Sequence, residues 1–324
     1  MSRARLLHSL ILTVSVFAST QAQAGRVDKW QTADADACFL KAEELYGRGR
    51  YADAAGYYRK AALIRPDFAA AYNGMCVCLY NLWQLEDAVE VCGQTLRLQP
   101  ESAFVRRNMG RVLQGLGRFD AAVEQFRRAV GLEPDYDEAY YSLGQSYSQM
   151  GRETDAAAAF EQVVRLKPGD AMSHNNLGVT YYKLGRYVEA IASLERALRL
   201  RPDLAEGYGN LGFAYVGTKQ YERALAAYRR SLELRPANPE IYYEMARAHL
   251  ALGRYADARE SCEQALRLRP DYALAYQSLG LVYLAMGKKE AALEQYRKLK
   301  SLDDDLAAAL FRMIYNDRMI DARR

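Results

Sequence analysis

The chain has 324 residues, of which 50% are apolar and 26% are charged. This balance is not that of an intrinsically disordered chain. The length exceeds the roughly 250–300 residues that one hydrophobic core usually serves, and a helical array without a shared core is one way to pass that limit. The formal net charge is only +4, and the basic residues are spread along the chain rather than clustered, so the composition gives no reason to expect a nucleic-acid-binding protein.

The first 24 residues have the layout of a secretory signal peptide. Arg3 and Arg5 precede an apolar run over 6–18, and Ala22-Gln23-Ala24 supplies the small residues of a cleavage site. The run is too short to span a membrane. We therefore expect cleavage after Ala24 and a mature protein that is periplasmic or secreted and has no transmembrane span. The alternatives are an N-terminal anchor and a chance apolar stretch.

A polar connector, 25–34, is followed by an array of similar segments. Prolines return every 34 residues, and alanine occupies the twentieth position of every segment. Chance does not explain this spacing. The seven prolines are Pro66, Pro100, Pro134, Pro168, Pro202, Pro236 and Pro270. The predicted segments are 35–68, 69–102, 103–136, 137–170, 171–204, 205–238, 239–272 and 273–304.

Each segment predicts two amphipathic helices joined by a tight turn. In 171–204, apolar residues recur at helical spacing both before and after Gly185. Glycine favours the left-handed backbone that ends a first helix, and Pro202 cannot continue the second helix, so we expect Asp203 to cap the next one. Small residues such as Ala190 allow the two helices to cross closely.

This 34-residue pattern resembles the tetratricopeptide repeat family. The resemblance implies an all-α fold, an α-solenoid in which about eight helix-turn-helix repeats form a right-handed superhelix. It also implies that the first helices line a concave groove that holds a peptide or a partner segment. The pattern is weakest at Lys41-Ala42 in the first repeat, at Glu153 in the fourth and at Asp304 in the eighth.

The C-terminal segment, 305–324, is expected to be a capping helix and tail. Leu306, Leu310, Met313 and Ile314 share one helical face, which could cover the last repeat. An exposed helix that docks a partner is the alternative.

No residue pattern in the chain indicates catalysis, a metal or a cofactor. His8 lies in the leader, and His174 and His249 occupy repeat positions where other copies carry tyrosine. The chain also lacks a phosphate-binding loop, a dinucleotide fingerprint and His/Cys metal spacing. We therefore expect a protein that is not an enzyme and that needs no cofactor or metal.

The cysteines number five, which leaves at least one unpaired within the chain. Cys76 and Cys92 can face each other across one helix pair, which permits a disulfide. The preferred interpretation is instead that Cys38, Cys76, Cys92 and Cys262 are small buried residues at repeat core positions. Cys78 lies only two residues from Cys76 on the same helix and cannot bridge to it.

A second stripe on the first helices is left free by the packing pattern and is predicted to face the groove. Aromatic rings can bury apolar side chains or sugar rings, asparagine amides can bind a peptide backbone, and arginine can bind carboxylates. The alternative is that several rings pack against the next repeat. The predicted ligand-binding residues are Phe39, Tyr46, Tyr80, Phe104, Arg107, Asn108, Arg111, Tyr141, Asn176, Tyr182, Asn210, Phe213, Tyr243 and Arg247.

Asparagine at the sixth repeat position is similar to the asparagine ladder of peptide-gripping family members, whereas the carboxylate clamp of chaperone-binding members is not matched. The leading hypothesis is a protein–protein interaction scaffold, exported across a bacterial inner membrane, that binds an extended peptide or protein segment. Two alternatives remain open, a polysaccharide-binding scaffold in surface-polymer export and a structural array that associates with itself.

Overall fold

The computed structural model describes residues 29–321, and within that range the chain is helical without strands. The predicted signal peptide, 1–24, lies outside the described residues. The helices are α1 (Lys29–Gly47), α2 (Tyr51–Ile64), α3 (Ala69–Asn81), α4 (Leu85–Leu98), α5 (Ala103–Gly115), α6 (Phe119–Leu132), α7 (Asp137–Gln149), α8 (Glu153–Leu166), α9 (Ala171–Lys183), α10 (Tyr187–Leu200), α11 (Ala205–Gly217), α12 (Tyr221–Leu234), α13 (Pro239–Ala251), α14 (Tyr255–Leu268), α15 (Ala273–Ala285), α16 (Lys289–Lys300) and α17 (Asp304–Asp321).

The chain divides into two compact units, and the boundary in the sequence falls between Pro134 and Asp135. The first unit contains α1 to α6 and the second α7 to α17. Within each unit, consecutive helices pack as antiparallel hairpins, and each hairpin packs on the next. The predicted all-α class, built from helix-turn-helix repeats, is therefore confirmed.

The helix boundaries follow the 34-residue phase. From α3 onward, the first helix of each repeat begins at the first residue of the predicted segment. The first repeat differs, because α1 begins at Lys29 and thus includes part of the segment that we expected to be a connector. None of the described helices is both long and apolar enough to span a bilayer.

The turns within the hairpins use left-handed backbone. Gly185 has a φ of +73°, as its position predicts. Trp83 and Lys219 take the same conformation at the equivalent position of repeats two and six, with φ of 61° and 60°. Side chains carry a strain there that glycine avoids.

The caps of the first helices lie one residue later than expected. Asp203 does not cap α11, whose N-cap is Leu204 without a side-chain hydrogen bond. The position that caps is the last of each segment, where Ser102, Asp170 and Asn238 accept hydrogen bonds from the first turns of α5, α9 and α13.

Small residues set the distance between the two helices of a repeat. A Cβ atom on Gly178 would lie 2.6 Å from Leu194 Cγ and 3.2 Å from the carbonyl oxygen of Ala190. Ala190 itself is fully buried. The crossing of α9 and α10 therefore has no room for a larger side chain at either position.

The last repeat is covered by α17, which packs on α15 and α16. Leu310 and Ile314 are buried there, and a Cβ atom on Gly280 would lie 2.5 Å from Leu310 Cδ2. Met313, which the sequence places on the same face, is half exposed.

One pair of cysteines is bonded. Cys76 of α3 and Cys92 of α4 form a disulfide with their Cα atoms 5.4 Å apart, so the preferred interpretation of these two as unpaired core residues is wrong. They face each other because they occupy matched positions on the two helices of one hairpin. Cys262 is a buried free thiol, as expected, and burial raises its pKa to about 12.

Candidate functional site

The predicted groove residues of the first unit divide into exposed and packed side chains. Phe104 is 49% exposed and Tyr46 is 36% exposed. Phe39, by contrast, packs against Tyr58 and Phe68, with ring centroids 5.6 and 4.9 Å away. In this unit, therefore, only part of the predicted aromatic set is free to contact a ligand.

Two arginines of the same stripe lie beside aromatic rings. The Arg111 guanidinium lies 4.6 Å from the Tyr80 ring centroid, and that of Arg107 lies 5.9 Å from Phe104. Such cation–π contacts position both the ring and the cation.

The predicted asparagines bond to the neighbouring repeat. Asn108 is 3% exposed, and its Nδ2 donates to Asn73 Oδ1 at 2.9 Å. In the second unit, Asn176 Nδ2 donates to the Tyr141 hydroxyl at 3.0 Å.

The third pair has the same register, because Asn210 Nδ2 donates to Asn175 Oδ1 at 3.1 Å. In each pair, the sixth position of one repeat donates to the fifth position of the repeat before it. These amides thus tie adjacent first helices together, and the bonded N–H groups do not point to a ligand. The 35-residue spacing of polar pairs is the sequence signal for this role.

An aromatic row follows the first helices of repeats five and six. Tyr182 is 38% exposed, and its ring lies 5.7 Å from Tyr187 and 6.2 Å from Phe213. Phe213 in turn meets Tyr228 edge-on at 5.7 Å. Tyr182 is thus the exposed ring of this row, and the rings of Tyr187 and Phe213 pack beside it.

The seventh repeat breaks the asparagine pattern. Its sixth position is Glu244, and the fifth position of the repeat before it is Gly209, which has no side chain to accept a bond. The Glu244 carboxylate instead accepts from Arg247, whose Nη1 lies 3.0 Å from both of its oxygens. Its side chain is only 15% exposed.

Burial raises the pKa of the Glu244 carboxyl, and the adjacent Arg247 offsets this only in part. Burial also raises the pKa of Tyr182, and the charge of Glu244 adds to the shift. Tyr182 therefore lies close enough to the Glu244–Arg247 pair for their charges to act on it. Sequence reasoning missed Glu244 because it departs from the asparagine pattern.

A cavity of about 510 Å³ adjoins Arg247, and we call it the Arg247 pocket. Tyr243, Arg247 and Leu250 of α13 form one wall, and Gln277 and Leu281 of α15 form the other. Arg247 is the one charged group among these residues, and its side chain is 52% exposed. The pocket can therefore hold an apolar side chain beside a hydrogen-bonding or anionic group.

Among residues 29–321, no group of His, Cys, Asp and Glu side chains is arranged to hold a metal ion. His174 is bonded through Nε2 to the Pro168 carbonyl oxygen at 3.1 Å. It therefore has a local structural partner.

Comparison with sequence families gives matches over most of the chain. Three sequence models of the tetratricopeptide repeat match, one over 107–171 and 141–205, one over 239–304, and one over 45–107 and 215–262. No curated protein matches the chain significantly.

Solved structures of repeat proteins resemble the chain in fold. The C-terminal part of a TPR repeat-containing protein from Cytophaga hutchinsonii is 22% identical with a TM-score of 0.61, over 74% of this chain and 99% of that one. YrrB, described as a TPR protein with an unusual peptide-binding site, is 21% identical with a TM-score of 0.53, over 58% and 96%.

The APC/C hetero-tetramer Cut9–Hcn1 also contains a similar chain, 18% identical with a TM-score of 0.55 over 89% of this chain. The match spans only 57% of that longer chain. At these identities the likeness concerns the fold, and the activity of those proteins does not transfer with it.

Proposed function

Because the chain belongs to the tetratricopeptide repeat family, we propose that it is a non-enzymatic interaction scaffold that holds an extended segment of a partner protein. The binding surface is the stripe on the first helices of the second unit, from Tyr182 and Phe213 to the Arg247 pocket. Members of this family are generally scaffolds without catalytic activity.

The observation that carries this proposal is the Arg247 pocket together with the exposed ring of Tyr182. A pocket of about 510 Å³ is large enough for a side chain of the partner. Arginine and tyrosine are, with tryptophan, the residue types that are enriched among the residues that dominate binding energy at interfaces. The asparagine bonds between repeats support this use, because they fix the first helices relative to each other before a ligand arrives.

Glu244 adds a reason to assign a function to this surface. A carboxylate on a side chain that is only 15% exposed, with its pKa raised by burial, is unfavourable for folding. Its bond to Arg247 fixes the guanidinium at the edge of the pocket. We infer that Glu244 positions Arg247 to bind a carboxylate or a backbone carbonyl of the partner.

We propose that the protein works in the bacterial cell envelope after export. The layout of 1–24, with its basic, apolar and small-residue parts, supports export. The disulfide between Cys76 and Cys92 supports an oxidising compartment, because such bonds are rare in the cytosol.

Site-specific cross-linking tests the proposal. A photoreactive amino acid is placed at Tyr182, or at Tyr255 on the second helix α14 as a matched control, in the protein expressed in its native cells. The two side chains have nearly equal exposure, 38% and 37%. We expect a specific protein partner to be captured from Tyr182 and not from Tyr255.

The captured segment then serves as a labelled peptide in a fluorescence anisotropy titration. Tyr182→Ala should weaken binding about tenfold, which corresponds to roughly 1.4 kcal/mol, and Tyr255→Ala should leave it unchanged. If both variants bound the peptide like the parent protein, or if both positions captured the same proteins, the first-helix stripe would not be the binding surface.

A further inference from the structure

A second crevice in the seventh repeat lies away from the first-helix stripe. It is a cavity of about 400 Å³ between the second helices α12 and α14, and α13 forms its floor. Arg229 comes from α12, Met245 and His249 from α13, and Asp257 and Glu260 from α14. We call it the His249 crevice.

In the two preceding repeats a tyrosine ring fills the equivalent place. Tyr181 and Tyr215 occupy the eleventh positions and are 8% and 5% exposed. Their hydroxyls donate to Glu161 and Glu195, which lie twenty residues earlier on the second helix of the repeat before, at 2.7 and 2.8 Å. Ring and carboxylate together close the gap between neighbouring repeats.

An arginine completes each of these arrangements. Arg186 lies 4.3 Å from the Tyr181 ring centroid, and Arg223 lies 4.2 Å from that of Tyr215. The filled position thus consists of a phenol ring, an acceptor for its hydroxyl and a cation over its face.

The seventh repeat changes both members of the pair at once. His249 replaces the tyrosine, and Arg229 replaces the glutamate twenty residues earlier. Imidazole is smaller than phenol, and in this repeat a cavity adjoins the ring. Arg254, at the repeat position of Arg186, instead forms an ion pair with Glu222.

His249 has a polar atom without a hydrogen bond. The side chain is 5% exposed, and Nδ1 is buried without a hydrogen-bond partner. The nearest carboxylate oxygen, Oδ2 of Asp257, is 3.9 Å away, which is beyond hydrogen-bonding distance. A buried ring nitrogen without a partner is unfavourable, so a ligand that bonds to it gains affinity.

We propose that the His249 crevice binds a phenol group, supplied by a tyrosine side chain of a partner protein. The crevice lies beside the position at which the chain itself carries a tyrosine in repeats five and six, and Asp257 lines it as an acceptor in place of the glutamate of those repeats. Met245, Arg229 and Asp257 all line the crevice. A bound phenol can therefore contact a thioether and a cation, and its hydroxyl can donate to a carboxylate.

Other ligand classes fit less well. An anion would meet the carboxylates of Asp257 and Glu260, and a cation would meet Arg229. A purely apolar ring would fill the space but leave Nδ1 of His249 unpaired. A hydroxyl both donates and accepts, so it suits either tautomer of the imidazole.

The probe for the test is p-cresol, the side chain of tyrosine as a free molecule. The full chain carries 13C-labelled methionine methyl groups, and p-cresol is titrated while the Met245 methyl signal is followed by NMR. We expect a saturable shift of that signal. Toluene, which lacks the hydroxyl, should bind about tenfold more weakly, because the imidazole then stays unpaired.

The double variant R229E/H249Y rebuilds the filled arrangement of repeats five and six. It should keep the parent melting temperature or raise it, and it should show no saturable shift. His249→Phe, which fills the space without a hydroxyl, serves as a second blocked variant if the double variant folds poorly. Tyr182→Ala, which alters the first-helix stripe, should bind p-cresol like the parent protein.

The inference is overturned if p-cresol does not shift the Met245 signal in the parent protein, or if it binds the blocked variants equally well. Equal affinity for toluene and p-cresol would also overturn it, because the imidazole would then play no part. None of these results depends on the partner of the first-helix stripe, so failure here is distinguishable from failure of the proposed function.

Discussion

At the level of single residues, Glu244 shows how the candidate site departs from the rules of a stable core. Asparagine at the sixth repeat position links neighbouring helices in repeats three, five and six, and such a neutral amide needs no compensating charge. Glu244 occupies that position in repeat seven with a carboxylate whose pKa is raised by burial. Its charge at neutral pH therefore opposes folding.

This leads to a pH-dependent prediction. A carboxyl whose pKa is raised in the folded state contributes stability below its unfolded pKa and loses that contribution as the pH rises through the folded pKa. Glu244→Gln should therefore melt at the same temperature as the parent protein or higher at pH 7. The difference should shrink as the pH falls, because the Glu244 carboxyl, whose pKa burial raises, then takes up a proton and becomes neutral.

Thermal unfolding followed by circular dichroism at several pH values measures this difference. Glu233→Gln is the matched control, because Glu233 is 61% exposed and pairs with Arg230 on the surface, so its replacement should have little effect. A Glu244→Gln protein that melted clearly below the parent at pH 7 would contradict the cost assigned to this carboxylate.

At the level of helices and turns, the sequence predicted the architecture well because each repeat contains its own boundary signals. The proline and glycine spacing predicted the hairpins, and Gly185 adopts the left-handed backbone expected of it. The sequence placed the cap of α11 at Asp203, one residue before the observed N-cap, Leu204. Both residues directly precede the first turn of the helix, so the sequence alone does not separate them. Only the local backbone decides between them.

The candidate site was harder to predict than the fold. Asn108, Asn176 and Asn210 were placed on the right helices, but the sequence of one repeat does not show that their partners lie in the repeat before. The asparagine pattern is lost at Glu244 together with its partner position, Gly209, which lies 35 residues earlier and has no side chain to accept a hydrogen bond. Such contacts between repeats become visible only when the register of neighbouring repeats is known.

The left-handed turn at Lys219, between the two helices of repeat six, leads to a prediction about stability. Lys219 holds a φ of 60° that disfavours any residue with a Cβ atom, by about 1–2 kcal/mol. The strain outweighs the extra unfolded-state entropy of glycine, so Lys219→Gly should stabilise the protein by about 0.5–1 kcal/mol. Chemical denaturation measures the change.

Lys219→Ala is the control for this turn, since alanine removes the same side chain but keeps the Cβ atom. Its stability should equal that of the parent protein. If the glycine and alanine variants were equally stable, the left-handed backbone at residue 219 would carry no measurable strain.

At the level of the whole molecule, the repeat design should confine damage to neighbouring repeats. Repeats contact mainly the adjacent ones, so stability is approximately a sum of local contributions. Within the second unit, α9 packs on α10 and α11, whereas α17 packs on α15 and α16. A defect in repeat five should therefore be felt in repeats four to six before it is felt at the C-terminal end of this unit.

Ala190→Leu tests this expectation. Ala190 is fully buried where α10 crosses α9, and Gly178 lies opposite it, so a leucine should overpack the crossing and cost about 1–3 kcal/mol. Hydrogen exchange followed by mass spectrometry should show lost protection in α9 and α10 and unchanged protection in α16 and α17.

Ala192→Leu, on the exposed face of the same helix, is the control and should change neither protection nor melting temperature. An unchanged melting temperature for Ala190→Leu would contradict the assigned helix crossing, whereas equal loss of protection in every helix of the unit would mean that its repeats unfold as one cooperative block.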